Sequence, residues 1–139
     1  MSASIQLSRV LLVDDHPAVL RQVAQLLSGE FQVVDTLPDG HNLQQIVDTR
    51  HPDIIVLDVS LPGISGIELA RQLTTAAAAP KIVFLTVHDD PDFARAALAT
   101  GALGYVIKSR LASDLIPALH AALEGRRFVS RSPDLEEVR

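Results

Sequence analysis

The sequence predicts a single α/β domain built on a doubly wound parallel sheet. Three observations lead there. Short apolar runs recur at Val10–Val13, Phe31–Val34, Ile54–Leu57, Ile82–Leu85 and Gly104–Ile107, and continuous runs of that length suit strands covered on both faces. Longer segments with helical periodicity lie between them. The chain has 139 residues, of which 47% are hydrophobic and 21% charged; that is enough for one core and too little for two. Strict strand–helix alternation then implies right-handed crossovers with helices on both faces of the sheet.

Each element has a local cause. Val10–Val13 opens the sheet. Val19, Val23, Leu26 and Leu27 form a helical stripe after Pro17, which suits a first-turn position, and Gly29 is the expected stop. Phe31–Val34 is the second strand. Leu43, Ile46 and Val47 make a shorter helix that His51-Pro52 ends. After strand Ile54–Leu57, Ser65 and Glu68 read as a capping box before Ile67, Leu69, Ala70 and Leu73. The Ala76–Ala79 run reads as a helix end before Pro80. Ile82–Leu85 is followed by Asp90-Pro91, which opens a helix through Thr100, stopped by Gly101. Gly104–Ile107 is the fifth strand. The last helix is expected to start at Asp114 as N-cap, with Lys108–Ser113 as a loop, because Pro117 then falls where no helical N–H is needed. Gly125 stops it, and residues 126–139 read as a tail or the start of a linker.

Composition excludes several functions. There is no cysteine, hence no disulfide scaffold, thiolate zinc site, iron–sulfur centre or thiol nucleophile. A net charge of -5 is a poor match for a phosphate backbone, so no direct nucleic-acid contact is expected. No apolar run has the length of a membrane span, and the N-terminus lacks an export signal, so a cytoplasmic location is expected. His16, His41, His51, His88 and His120 do not pair at zinc-ligand spacing, and His16, although it follows Asp14-Asp15, reads as a helix-start residue. No dinucleotide fingerprint, phosphate-loop motif or nucleophile elbow occurs. Arg126, Arg127 and Arg131 read as solvated tail charges.

The chemistry collects at strand ends, where parallel sheets bind ligands. The first strand ends in Asp14-Asp15, the third in Asp58, the fourth in Thr86 and the fifth in Lys108. Each acid taken alone would cap a helix or face water; Asp15, for example, could cap the helix that begins near Pro17. Together they repel unless a hard cation sits among them, and few oxygen ligands with completing waters favour Mg2+. Lys108 adds an ammonium and Thr86 a hydroxyl. This set suits a phosphoryl group attacked by a carboxylate.

The stretches LLVDDHPAVLRQ, IIVLDVSLPGISGIEL, IVFLTV and GYVIKS resemble the receiver domain of bacterial two-component response regulators over about residues 9–125. The DDHP and GRRFVS details resemble the NarL/FixJ subfamily, whose members usually carry a LuxR-type helix-turn-helix domain. The resemblance implies a flavodoxin-like (βα)5 fold with strand order 2-1-3-4-5. Residues 1–125 would be the receiver domain, and residues 126–139 a tail without a DNA-binding domain. It implies Asp58 as phosphoacceptor, and Mg2+ held by Asp14, Asp15, Asp58 and the main-chain carbonyl of Ser60. Thr86 would be the switch hydroxyl, Lys108 the phosphate-pairing ammonium and Tyr105 the switch aromatic. Pro62 and Gly66 would shape the loop into the third helix. The implied partners are a sensor histidine kinase and a second copy of the receiver surface. The output would be transcription, by a switch with self-catalysed phosphotransfer and dephosphorylation and no enzyme turnover. Val87 follows the switch threonine where many members have a smaller residue, and is expected to slow phosphorylation or hydrolysis. His88 reads as a solvated loop histidine or as a neighbour of the attacking water. The other readings are an unphosphorylated interaction module and an aspartyl phosphatase, which would need a further acid/base and a cap.

Overall fold

A computed structural model describes residues 6–74 and 79–139. The Ala76–Ala79 reading therefore lies mostly outside the described residues. In chain order the elements are β1 (Ser8–Val13), α1 (Pro17–Leu27), β2 (Phe31–Leu37), α2 (Leu43–Arg50), β3 (Ile54–Leu57), α3 (Gly66–Thr74), β4 (Lys81–Thr86), α4 (Pro91–Ala99), β5 (Gly104–Ile107), α5 (Leu111–Leu123) and β6 (Phe128–Val129). The strands form one sheet in the order β2-β1-β3-β4-β5-β6, all pairs parallel.

The strands divide the core as a period of two demands. Leu11, Val13, Ile55, Leu57, Ile82, Phe84, Tyr105 and Ile107 face α2, α3 and α4. Val10, Leu12, Ile54, Val56, Val83, Leu85 and Val106 face α1 and α5. Every residue of β3 and β5 is buried, which is why those strands read as unbroken apolar runs and not as alternating ones. β2 lies at the sheet edge and extends past Val34 to Leu37 across a register shift opposite Val10 and Leu11. An edge strand is wetted on one side and tolerates Asp35 and Thr36.

The helix signals held where a side chain supplies the cap. The Asp90 carboxylate accepts from the Asp92 N–H at 2.7 Å and starts α4. Ser65 Oγ accepts from the Glu68 N–H at 3.2 Å, while the Glu68 carboxylate turns to Arg71 at 2.9 Å. Half of the expected capping box is thus present.

Three expectations fail. α5 begins at Leu111, after a 3-10 turn over Lys108–Arg110, so Pro117 lies inside the helix. Asp114 is not its N-cap. Its buried carboxylate is instead held by Arg110, Ser113 and Ser130, and burial of the apolar face of α5 outweighs the one lost backbone bond. The sheet has six strands, not five. Residues beyond Gly125 return to it: Phe128 and Val129 pair with Gly104 and Tyr105, and Leu135 is fully buried. Phe128, Val129 and Leu135 are too widely spaced to form a visible stripe, so this segment read as a tail.

Candidate functional site

The first and third strands stand side by side, with Leu12 opposite Val56 and Val13 opposite Leu57. The chain crosses from β1 to β2 on one side and to β3 on the other, so a crevice opens at their carboxyl ends. Asp14 and Asp58 are the next residues on those strands. The Asp58 N–H donates to the Val13 carbonyl at 3.0 Å, and the Asp14 N–H to the Leu37 carbonyl at 3.0 Å. Backbone pairing thus carries both acids to one place. Both are buried, at 4% and 3% exposure for Asp14 and Asp58, whereas Asp15 is exposed.

Lys108 follows β5 and reaches across the crevice. Its Nζ lies 2.8 Å from Asp14 Oδ2 and 3.1 Å from Asp58 Oδ2. The contact with Asp58 is an aligned hydrogen bond. The contact with Asp14 is an ion pair without that alignment, which leaves Asp14 Oδ2 buried and free of any hydrogen bond. Burial pushes the Asp58 carboxyl above its ordinary range; the Lys108 hydrogen bond opposes this and the Asp14 charge adds to it. Burial alone would lower the Lys108 ammonium, but its close contacts with Asp14 and Asp58, and their charges, raise it above the ordinary lysine range.

His16 joins this group, where sequence reasoning preferred a plain helix-start residue. It is indeed the residue before α1. Its ring also enters the cluster, with Nδ1 3.0 Å from Asp14 Oδ1 and 3.1 Å from Asp15 Oδ1. The Asp14 Oδ1 atom also accepts from the His16 N–H at 2.8 Å. A ring N–H facing two carboxylates cannot also accept, so the 3.3 Å approach of Lys108 Nζ is a close contact only. The adjacency of His16 to the acidic pair was the one signal available.

The other wall comes from β4 and the loop after β3. Thr86 is fully buried, and its Oγ1 accepts from the His88 N–H at 3.2 Å. The Ser60 N–H donates to Asp58 Oδ1 at 3.2 Å, and Ser60 Oγ lies 2.8 Å from His88 Nε2. His88 stacks on Phe93 of α4 with ring centroids 4.5 Å apart. It is thus a bridge between the two loops and not a free solvated side chain. Tyr105 is fully buried and donates its hydroxyl to the His88 carbonyl at 2.7 Å. Its phenol is held above the ordinary range by burial, with Asp90, Asp89 and Asp58 adding to the effect. Val87 is 63% exposed.

Gly66 closes the loop entering α3. Its N–H donates to the Val59 carbonyl at 2.8 Å, and a Cβ there would sit 1.9 Å from the Asp58 carbonyl oxygen. Pro62 accepts from the Ile64 N–H at 3.1 Å in the same loop.

The donor set suits a hard divalent cation. Asp14, Asp15, His16 and Asp58 each offer one atom, all within 4.8 Å of one another. Three of these donors are carboxylates, and the two buried ones, Asp14 and Asp58, share a single ammonium, Lys108, so a divalent cation would offset the negative charge left over. No helix of the described residues is long and apolar enough to cross a membrane.

Comparison with known proteins agrees with this geometry. The family described as the response regulator receiver domain matches residues 10–120. The chain is 32% identical to the transcriptional regulatory protein DegU of Brevibacillus brevis, over 87% of this chain and 52% of that protein. It is 33% identical to the nitrate/nitrite response regulator protein NarL of Escherichia coli K12, over 88% of this chain and 58% of that protein. The chain therefore spans about half the length of these relatives. Among solved structures, a LuxR-family two-component response regulator from Aurantimonas superposes with a TM-score of 0.84 at 36% identity, covering 95% of this chain and 94% of that one. The isolated receiver domain of RcsB from Salmonella enterica, solved with a phosphomimetic, superposes with a TM-score of 0.82 at 27% identity, covering 91% and 95%.

Proposed function

The chain belongs to the response regulator receiver domain family, and from that premise we propose that it accepts a phosphoryl group on Asp58 and changes conformation in response. The observation that carries this is the buried pair Asp14 and Asp58 sharing one ammonium, Lys108, at 2.8 and 3.1 Å. Two buried carboxylates that share a single cation are costly as mere structure. The pair is well arranged to form an acyl phosphate.

An Asp58 carboxylate oxygen attacks phosphorus in line. The new O–P bond forms as the bond to the donor breaks, and the donor imidazole of a histidine kinase leaves with its electron pair. The Lys108 ammonium already lies against the attacking carboxylate and turns to pair with a phosphoryl oxygen. The buried Thr86 hydroxyl supplies a hydrogen bond to the same group. Mg2+ would be held by Asp14, Asp15, Asp58 and the main-chain carbonyl of Ser60, where it supplies charge neutralisation for the phosphoryl oxygens.

The phosphoryl group carries about −2 where the carboxylate carried −1, a net gain of about one negative charge. It draws Thr86 and Lys108, and the His88 backbone follows Thr86 through their shared hydrogen bond. Tyr105, bonded to the His88 carbonyl, then repacks. The response is a shift between two states that differ in this chain of contacts. A sensor histidine kinase is the proposed donor, and a second receiver copy the proposed partner of the switched surface. Transcription is the proposed output of the longer protein, as the names of its relatives indicate. No nucleic-acid contact by these residues is part of the proposal.

Beryllofluoride with Mg2+ tests this directly, as a stand-in for the phosphoryl group. Nuclear magnetic resonance should show saturable shifts at Thr86, Lys108 and Tyr105 that vanish in Asp58→Asn. Shifts that persist in that variant would refute the assignment.

A further inference from the structure

We propose that Ser130 is a positioning residue for Lys108, and that the Ser130–Asp114 pair couples the end of β6 to the phosphorylation site. This inference rests on the reading of Asp58 as phosphoacceptor and extends it to residues outside the acidic crevice.

Ser130 is fully buried directly after β6. Its hydroxyl donates to Asp114 Oδ2 at 2.7 Å and accepts from the Ile107 N–H at 3.1 Å. Its own N–H donates to the Tyr105 carbonyl at 2.9 Å. One side chain and its amide thus grip β5 at Tyr105 and at Ile107, the residue before Lys108. Asp114 is also buried, at 6% exposure. It takes further hydrogen bonds from Arg110 Nε at 2.9 Å and Ser113 Oγ at 2.9 Å.

The 3-10 turn over Lys108–Arg110 is therefore pinned at both ends by one network. Ser130 holds the Ile107 end, and Asp114 holds Arg110 at the other. A lysine side chain is long and flexible, and it reaches two carboxylates together only if its backbone origin is fixed. The network fixes that origin. A buried pair whose side-chain oxygens are all hydrogen-bonded, as those of Ser130 and Asp114 are, is also the kind that specifies one geometry.

Coupling of this kind acts in both directions. A displacement of the Lys108 backbone towards a phosphoryl group pulls on the Ile107 N–H and so strains its hydrogen bond to Ser130. Beyond Ser130 the chain is itself anchored, with Leu135 fully buried and Glu137 2.6 Å from Arg95 of α4. The segment after β6 is thereby wired to the site, and not simply appended to the sheet.

The test uses the full chain with Ser130→Ala and Ser130→Thr. Its only lysines are Lys81, which is exposed, and Lys108. Acylation by a soluble N-hydroxysuccinimide ester, read by peptide mass spectrometry, then reports Lys108 against Lys81 as internal standard. The second readout is the initial rate of phosphoryl adduct formation with acetyl phosphate and Mg2+. In Ser130→Ala the Lys108/Lys81 ratio should rise, and the adduct rate fall, by roughly three- to ten-fold, the factor one net hydrogen bond carries. Ser130→Thr keeps the hydroxyl and should restore both. If Ser130→Ala does not fold, Ser130→Cys, with its weaker donor, replaces it. An unchanged ratio and rate in a folded Ser130→Ala would overturn the proposal, as would a change that Ser130→Thr fails to reverse. If the parent chain forms no adduct, the phosphoacceptor reading falls, and the acylation ratio alone still decides the clamp.

Discussion

Gly66→Ala is the sharpest structural test of how the site is held. A methyl group at that position would lie 1.9 Å from the Asp58 carbonyl oxygen, 2.9 Å from its carbon and 3.1 Å from Val59 Cα. All three are main-chain atoms, so no side-chain rotation relieves the clash. Reaching even 3.0 Å from the oxygen requires a shift of at least 1.1 Å between the loop and the end of β3. That shift also pulls the Gly66 N–H off the Val59 carbonyl, now at 2.8 Å. Overpacking of this kind costs about 1–3 kcal/mol and the lost hydrogen bond about 1 kcal/mol. The expected loss is about 2–4 kcal/mol, a large part of the ~5–15 kcal/mol typical of a domain. Urea denaturation measures it as a lower midpoint at unchanged slope. Because the moved peptide belongs to Asp58, phosphoryl adduct formation should fall as well, even at low temperature where the variant stays folded. A variant as stable and as readily phosphorylated as the parent would show that the loop does not need this close approach.

Other outcomes follow from the electrostatics. The Asp58 carboxyl is raised by burial, so its charge opposes folding at neutral pH, and the penalty disappears as pH falls below the unfolded value of 3.8. Asp58→Asn should therefore have a higher urea midpoint than the parent at pH 7, and the two should converge below that value. Asp114 has the opposite sign: hydrogen bonds from Ser130, Arg110 and Ser113 overcome burial and lower it. Its stabilisation is present above pH 3.8 and lost as pH falls through the lower folded value. Asp114→Asn should cost about 1.5–3 kcal/mol at neutral pH, as expected for hydrogen bonds to a charge, and nearly nothing in strong acid; a pH-independent loss would contradict this. Val87→Ala should speed phosphorylation or hydrolysis of the acyl phosphate, measured as adduct build-up and decay, and equal rates would dispose of the slowing expected of that side chain.

Much of this was legible in the sequence because local rules and the fold agree. β3 and β5 appear with the expected bounds, since a strand buried on both faces is an unbroken apolar run. The strand-end rule places Asp14, Asp58, Thr86 and Lys108 at one edge of the sheet from the sequence alone. What stayed hidden depends on contacts distant along the chain. Ser130 meets Asp114 and Ile107 across 16 and 23 residues, and no periodicity marks such a pair. The start of α5 was misplaced because the proline rule is local, whereas burial of Leu111, Leu115, Ala118 and Leu119 against the sheet is tertiary. His16 was undervalued for the same reason, since its ring finds Asp14 and Asp15 only once the loop has folded.

On the proposed function, Asp58 takes a phosphoryl group in a reaction that needs the acidic crevice. Intact-protein mass spectrometry after treatment with acetyl phosphate and Mg2+ tests it most directly. One phosphoryl adduct per chain is expected, located on Asp58, abolished by chelating the metal and absent in Asp58→Asn. No adduct on the parent chain, or an adduct of equal yield in Asp58→Asn, would contradict it.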